Sequence, residues 1–408
     1  MDPCNKPSLP SYEEALNRLL SVCQPVGCET VSFEAALGRT LACEIVTDRD
    51  QPPFNRSAMD GYAVHAEDIN AQTRLKITGT VAAGASAEHY QTPIARGCAY
   101  RIATGAPVPV GADAVIPVEL SYIDKDDTVG FDIQCVPIWK NIHRQAADAK
   151  AGSRVIKAGT VLGPHHIAIA AATGNSQLKV HRTLRVTLLT TGDEVRPPQT
   201  TTDELEPQQI RNSNGPMVVA LLSRLGVSNV THLHIVDEAG PTLAAAESAI
   251  QTSDLVITVG GVSVGQRDHL PRTWEKLGIL PIVHGVAIQP GKPVFAATSN
   301  KTIILGLPGN PVSVLATSHL FLWPVVCRLL NRPLPQWQSV TLNDVVEPQS
   351  GRDRFRLVTV DDANAQLLVW QGSGDLMHSA SAAGFVWLKR GEVECETGQN
   401  VPFLPLLD

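Results

Sequence analysis

Carboxylates, one lysine and a set of glycine- or proline-bounded loops concentrate in the second half of the chain. The loops are Thr191-Gly192-Asp193-Glu194, Asn212-Ser213-Asn214, Gly260-Gly261-Val262-Ser263-Val264-Gly265, Pro290-Gly291-Lys292-Pro293 and Pro308-Gly309-Asn310-Pro311. Most follow short apolar runs that read as buried strands. In an open α/β sheet, the loops leaving the strand carboxyl ends line one crevice, and ligands bind there. Glycine lets the backbone approach a ligand closely, and free N–H groups in such turns are ready anion donors. With no catalytic Cys-His pair beside them, these loops point to a large phosphate-bearing ligand.

Glu194, Asp237 and Asp268 each follow an expected strand end. A single carboxylate there usually caps a helix or carries a solvated charge. Three in one crevice would repel unless a cation or basic residue neutralised them. Hard oxygen ligands select Mg2+, which binds through one or two carboxylates, water and substrate phosphate. The Gly260–Gly265 stretch is neither a Walker loop nor the spaced Rossmann fingerprint, and it also reads as a tight strand-to-helix connection. Its position suits ligand oxygens near Gly260, Gly261, Ser263 and Gly265. Pro308, Gly309, Asn310 and Pro311 open the last long helix, whose N-terminus favours an anion. Lys292 is the only lysine in these loops, and a rigid Pro-Gly-Lys-Pro setting is an unusual place for a merely solvated charge. His165-His166 and the His232, His234 pair lack further ligands at metal spacing, so packing or surface roles are expected.

The elements that carry these loops lie between residue 182 and about residue 330. Residues 184–190, 230–236, 255–259, 280–288 and 303–307 read as strands. Residues 215–225 read as a helix stopped by Gly226, Pro241 opens another, and a third spans about 268–277. Residues 312–330 suit a helix bent or broken at Pro324. Repeated strand, helix, strand means parallel pairing in a layered α/β domain. Upstream, Ser11 and Glu14 form a capping box that starts a helix near residue 12, and 32–37 suits a short helix. From 51 to about 136, strand-like pieces at 61–64, 74–77, 98–102 and 114–118 alternate with turns, as in a compact β domain. Arg332-Pro333-Leu334-Pro335 marks a linker to a tail with strand-like runs at 355–360, 367–370 and 384–388. Residues 196–209 are polar enough for a mobile loop.

A chain of 408 residues requires several domains. A formal charge of −7 argues against nucleic acid as the main partner, because phosphate backbones are held by an excess of Lys and Arg. The polar N-terminus has no apolar signal core, and the apolar runs read as too short to span a bilayer, so a cytoplasmic protein is expected. Eight scattered cysteines without a Cys-x-x-Cys pair disfavour zinc and suggest reduced, mostly buried thiols.

Further motifs complete a pattern. They are Pro52-Pro53-Phe54-Asn55-Arg56-Ser57-Ala58-Met59-Asp60-Gly61-Tyr62-Ala63, Arg101-Ile102-Ala103-Thr104-Gly105-Ala106-Pro107-Val108-Pro109 and Gly111-Ala112-Asp113-Ala114-Val115. Together with Thr191 to Glu194, Gly260 to Gly265 followed by Asp268, Pro290 to Pro293, and Gly306-Leu307-Pro308-Gly309-Asn310-Pro311-Val312-Ser313, they stand in one order. That ordered set resembles the molybdopterin molybdotransferase family, which inserts molybdenum to complete the molybdenum cofactor and includes the E domain of gephyrin.

The resemblance implies a multidomain α/β protein with four parts: a helical linker domain from 1–51 and 149–181, a β-rich domain at 52–148, a three-layer α/β molybdopterin-binding domain at 182–331, and a small C-terminal β-barrel-like domain at 332–408. Gly351-Arg352-Asp353-Arg354-Phe355 is similar to the opening motif of the last. The resemblance further implies a homodimer in which Asp60 reaches the partner's active cleft, with Thr104 able to contact a ligand oxygen and Asp148 kept from a Gly-Glu-Asp motif. It favours Mg2+ at Asp237 and Asp268 over capping, with Glu194 beside them, and adds Lys292 and Ser313 as groups to hold molybdate. The substrates would be adenylylated molybdopterin and molybdate, with AMP released, and other molybdenum cofactor proteins are possible contacts. A molybdopterin adenylyltransferase and a non-catalytic scaffold of the same fold are the alternatives. Two departures stand out: Gln289 where many relatives carry Lys or Arg, and Ala146-Ala147 ahead of Asp148.

Overall fold

The computed structural model describes residues 8–124, 127–261, 269–347, 351–391 and 397–407. Its largest core belongs to a six-stranded sheet ordered Val230–Ile235, Val186–Thr191, Leu255–Val259, Thr302–Leu307, Phe295–Ser299 and Pro281–His284. The first four run parallel. Phe295–Ser299 is reversed, joined to Thr302–Leu307 through a tight turn in which Asn300 takes a φ of 54°. Sequence patterning passes over this strand, because it follows the Pro290 to Pro293 loop without a helix between. The 280–288 run divides instead into Pro281–His284 and Ile288–Gln289, separated at Gly285.

Period-two alternation sends Leu188, Ile257 and Leu305 into one core and their neighbours Leu189, Val256 and Ile304 into another. Asn214–Arg224 and the Pro311–Leu329 run cover the first face. Ala239–Thr252 and His269–Lys276 cover the second, which makes three layers.

The Pro311–Leu329 run is long and apolar enough, by length and composition, to cross a membrane, contrary to the expectation that its apolar stretches are too short. It is instead the buried core helix of this domain. Nor does it simply break at Pro324: a π-helical segment, Ser318–Leu322, separates Pro311–Thr317 from Trp323–Leu329. Proline has no N–H for the carbonyl four residues earlier, Leu320, and the Tyr12 hydroxyl donates to that carbonyl at 3.4 Å.

Tyr12 begins the first helix, Tyr12–Val22, which starts where the Ser11 and Glu14 capping box places it. This helix buries Tyr12, Ala15, Leu19 and Leu20 against the α/β core. The linker that follows has its own core, drawn from both chain segments: Leu41, Ile45, Ile156, Leu162, Leu178 and Val180. Two antiparallel strand pairs and the helix Pro164–Ala172 build it.

The β-rich part is a six-stranded mixed sheet with a core on each face. Tyr62 and Val64 enter one core and Ala63 the other, while the second core also takes Ala106 and Val108 from a covering loop and Ile142 from the short strand Ile142–His143. At the C-terminus, strands Gln338–Leu342, Asp353–Asp361, Asn364–Leu367, Gly384–Leu388 and Gln399–Pro405 close into a five-stranded barrel through the Asp353–Asp361 and Gly384–Leu388 pairing.

One further expectation is corrected. Of the described cysteines only Cys23 and Cys327 are buried, whereas Cys28, Cys43 and Cys135 are exposed. The 196–209 stretch is an exposed loop closed at its base, where Val195–Arg196 pairs with Ile210–Arg211 and the Arg211 guanidinium donates to the Thr200 carbonyl at 2.8 Å.

Candidate active site

Loops from the carboxyl ends of the four parallel strands wall a cleft of about 490 Å3. Glu194 follows one strand, Asp237 another, Gly260 and Gly261 a third, and Pro308, Gly309, Asn310 and Pro311 the last. Gly260 and Gly261 both take left-handed backbone angles, φ 83° and 64°, which residues with a side chain rarely adopt. Ser263, Gly265 and Asp268 lie outside the described residues.

Burial raises the pKa of Asp237, and the neighbouring charges of Asp193 and Glu194 raise it further. Its backbone N–H donates to Asp193 Oδ1 at 3.2 Å, so Asp193 belongs to this acidic edge although its sequence position alone did not single it out. Asn214 Nδ2 donates to the Gly309 carbonyl at 2.6 Å and locks two loops together, while Asn214 Oδ1 is buried without a partner among the described residues. Beneath them, the Thr190 hydroxyl lies 3.1 Å from both His232 Nε2 and His234 Nδ1 and receives Asn212 Nδ2 at 3.3 Å. The two histidines therefore serve a polar network under the cleft.

A second pocket of about 400 Å3 adjoins the first and shares Pro293, Pro308, Gly309 and Asn310 with it. Lys292, Gln289 and Ser313 line it, together with Arg352, Trp370 and Ser373 from the C-terminal domain. Neither Lys292 nor Arg352 has a carboxylate partner among the described residues, so the pocket presents two uncompensated cations. Arg352 gets there because Ile288 pairs with Asp353 in a short parallel ladder. The buried Asp353 carboxylate also accepts the Tyr12 N–H at 3.4 Å and the Arg390 N–H at 3.0 Å. Asn310 Nδ2 donates to Ser373 Oγ at 2.8 Å, and Val312 N–H donates to the Ser373 carbonyl at 2.9 Å, latching the barrel onto the start of the core helix. Sequence reasoning missed Arg352, Trp370 and Ser373 as site residues. The Gly351-Arg352 motif and the Gly372-Ser373-Gly374 turn were the only signals.

Asp60, Thr104 and Asp148 stand on the β-rich part, and none of them lines either pocket. Asp60 lines a third cavity of about 470 Å3 with Tyr62, Thr80 and Arg101. Its Oδ1 accepts the Thr104 N–H at 2.8 Å. Gly61 next to it has no room for a side chain, because a Cβ would strike the Ile116 carbonyl. The motifs containing these residues are stitched together: Gly105 N–H donates to the Ser57 carbonyl at 2.8 Å, Ala58 N–H to Asn141 at 2.9 Å and Asp148 N–H to Gln51 at 2.9 Å. Asp148 Oδ1 lies 2.9 Å from His143 Nε2.

Fold and clefts together define a multidomain protein built around a three-layer α/β module with a ligand cleft at the carboxyl ends of its parallel strands. Residues 187–328 match the family described as a probable molybdopterin binding domain, and residues 10–174 match the MoeA N-terminal region (domain I and II). The chain is 36% identical to the molybdopterin molybdenumtransferase of Synechococcus elongatus over 78% of this chain and 80% of that one. It is 32% identical to that of Bacillus subtilis over 96% of this chain and 93% of that one. The chain belongs to the molybdopterin molybdenumtransferase family. Its fold matches the crystal structure of the molybdopterin biosynthesis MoeA protein from Pyrococcus horikoshii with a TM-score of 0.82 and 30% identity, covering 98% of this chain and 99% of that one.

Proposed function

We propose that this chain is the transferase that inserts molybdate into adenylylated molybdopterin and releases AMP. The observation that carries this reading is the adjoining pair of pockets: a roomy cleft of strand-end loops edged by carboxylates, opening beside a smaller pocket with two cations that have no carboxylate partner among the described residues. A large phosphate-bearing pterin suits the first and a tetrahedral dianion the second. Lys292 and Arg352 supply charge there, and Ser313 and Ser373 supply hydroxyls.

Asp193, Glu194 and Asp237 offer carboxylate oxygens of the kind Mg2+ takes, with His269 also acting on Asp237, although the described residues alone form no cluster of three metal-ligating groups. We assign Asp237 and Asp268 to hold Mg2+ with Glu194 close by. Bound there, Mg2+ would neutralise phosphate charge during anhydride cleavage. The protein's own part is positioning: Gly260 and Gly261 let the backbone approach the ligand, and the loop latched by Asn214 fixes the Pro308 to Pro311 wall. Asp60, Thr104 and Asp148 act, in this reading, in the cleft of the partner subunit of a cytoplasmic homodimer that passes its product to other molybdenum cofactor proteins.

The test is AMP release from adenylylated molybdopterin with and without molybdate and Mg2+. Release that needs molybdate supports the reading. Formation of adenylylated molybdopterin from ATP, with no molybdate requirement, identifies an adenylyltransferase, and binding without any turnover identifies a scaffold.

A further inference from the structure

We propose that His143 is a positioning residue for Asp148, with its tautomer set by Arg56. The inference rests on the reading that Asp148 acts in the reaction, but its geometric part stands apart from that reading.

Arg56 and His143 sit directly opposite one another in the antiparallel pair Arg56–Ser57 with Ile142–His143. Facing side chains in such a pair are close enough to interact. Arg56 Nη2 lies 3.2 Å from His143 Nδ1. A guanidinium only donates, so Nδ1 must offer its lone pair. In the neutral imidazole the proton then belongs on Nε2, which lies 2.9 Å from Asp148 Oδ1 and donates to it. Arg56 thus selects the one tautomer able to hold the carboxylate.

The backbone around Asp148 is already secured from the other side. Gln145 N–H donates to Asn55 Oδ1 at 2.8 Å, Ala146 N–H to the Pro52 carbonyl at 3.0 Å and Asp148 N–H to the Gln51 carbonyl at 2.9 Å. What these bonds leave free is the rotation of the Asp148 side chain, which is 55% exposed and has only His143 as a side-chain partner among the described residues. The same strand segment anchors the second motif, since Ser57 accepts from Gly105 beside Thr104. Arg56 therefore stands where one short ladder orients Asp148 on one side and the Asp60 and Thr104 pair on the other.

The experiment uses the full chain carrying His143→Leu, His143→Gln, Asp148→Asn or the His143→Leu, Asp148→Asn double change. Turnover is read as AMP released in the presence of molybdate. His143→Leu is expected to lower kcat roughly 10-fold while leaving KM within about twofold, because the carboxylate loses alignment rather than the site losing substrate. Its Tm should stay within about 2 °C of the parent, since an exposed pair adds little stability. His143→Gln, whose amide oxygen accepts from Arg56 while its nitrogen donates to Asp148, should recover to within about threefold of the parent. The double variant should be no worse than Asp148→Asn alone. A His143→Leu variant with parental kcat beside an impaired Asp148→Asn overturns the positioning role, as does equal impairment by Leu and Gln. An unimpaired Asp148→Asn overturns the reading of Asp148 itself. The tautomer is read separately by 15N NMR of the His143 ring: a proton on Nδ1 in the parent overturns the proposal whatever the turnover shows.

Discussion

Asp60 Oδ1 accepts the backbone N–H of Thr104 at 2.8 Å, joining residues 44 positions apart. Taken singly, Asp60-Gly61 and Thr104-Gly105 are ordinary turns. Their bond makes them one surface whose second carboxylate oxygen has no partner among the described residues. Asp60→Asn keeps an oxygen for the Thr104 amide, so it should fold normally and lose turnover. If the cleft is shared between subunits, heterodimers of Asp60→Asn with Asp237→Asn regain about half of their sites, as two-fold symmetry requires. Mixed subunits no more active than either parent variant would rule out the shared cleft.

Lys292 and Arg352 face one pocket without a counter-charge among the described residues. Removing either by substitution with Ala should raise the molybdate concentration needed for half-maximal turnover about 10- to 100-fold, the loss of one charged hydrogen bond. Gln289→Lys should lower it, and added salt should narrow that gain. Turnover against molybdate at two ionic strengths measures both. An unchanged requirement in Lys292→Ala would make that lysine a solvated charge only.

Asp237 is raised above the ordinary aspartate range by burial, then by Asp193 and Glu194. The folded state therefore holds its proton more tightly than the unfolded chain does, and stability from this group is full below the unfolded pKa and lost as pH rises through the folded one. At neutral pH, Asp237→Asn should match or exceed the parent in Tm without Mg2+, and this advantage should vanish on acidification. Protection of the parent by Mg2+ should weaken as pH falls toward the raised value. Thermal unfolding across pH, with and without Mg2+, follows both trends; a large drop in Tm for Asp237→Asn at neutral pH contradicts them.

The Asp254 carboxylate shows the opposite case. Burial alone would raise its pKa, but hydrogen bonds from Arg182 and Arg185 more than offset this and hold it well below the usual range. Arg182 directly follows the last linker strand, Gln177–His181, so this pairing also fastens the linker to the α/β sheet. Asp254→Asn should cost about 1–3 kcal/mol at neutral pH. Because the folded pKa is depressed, the stabilisation is present above the unfolded value and is lost as pH falls through the folded one. The difference between parent and variant in urea unfolding should hold steady down to about pH 4 and shrink below it.

Local patterns in the sequence determined much of this molecule. The Ser11 and Glu14 capping box places the first helix, and apolar runs ending in glycine or proline place the four parallel strands and the loops of the main cleft. These features depend on neighbours within a few residues, where helix capping, strand period and turn chemistry act. The tertiary structure alone decided the rest. It reversed Phe295–Ser299 within the sheet and set a π-helical turn before Pro324 against Tyr12. It brought Arg352 to Lys292 through a two-residue ladder at Ile288–Gln289, and faced Arg56 with His143 through another at Ile142–His143. Each of these depends on the register between segments distant in the chain. A shift of one residue turns a side chain to the opposite face, and that register is set by the packing of whole elements.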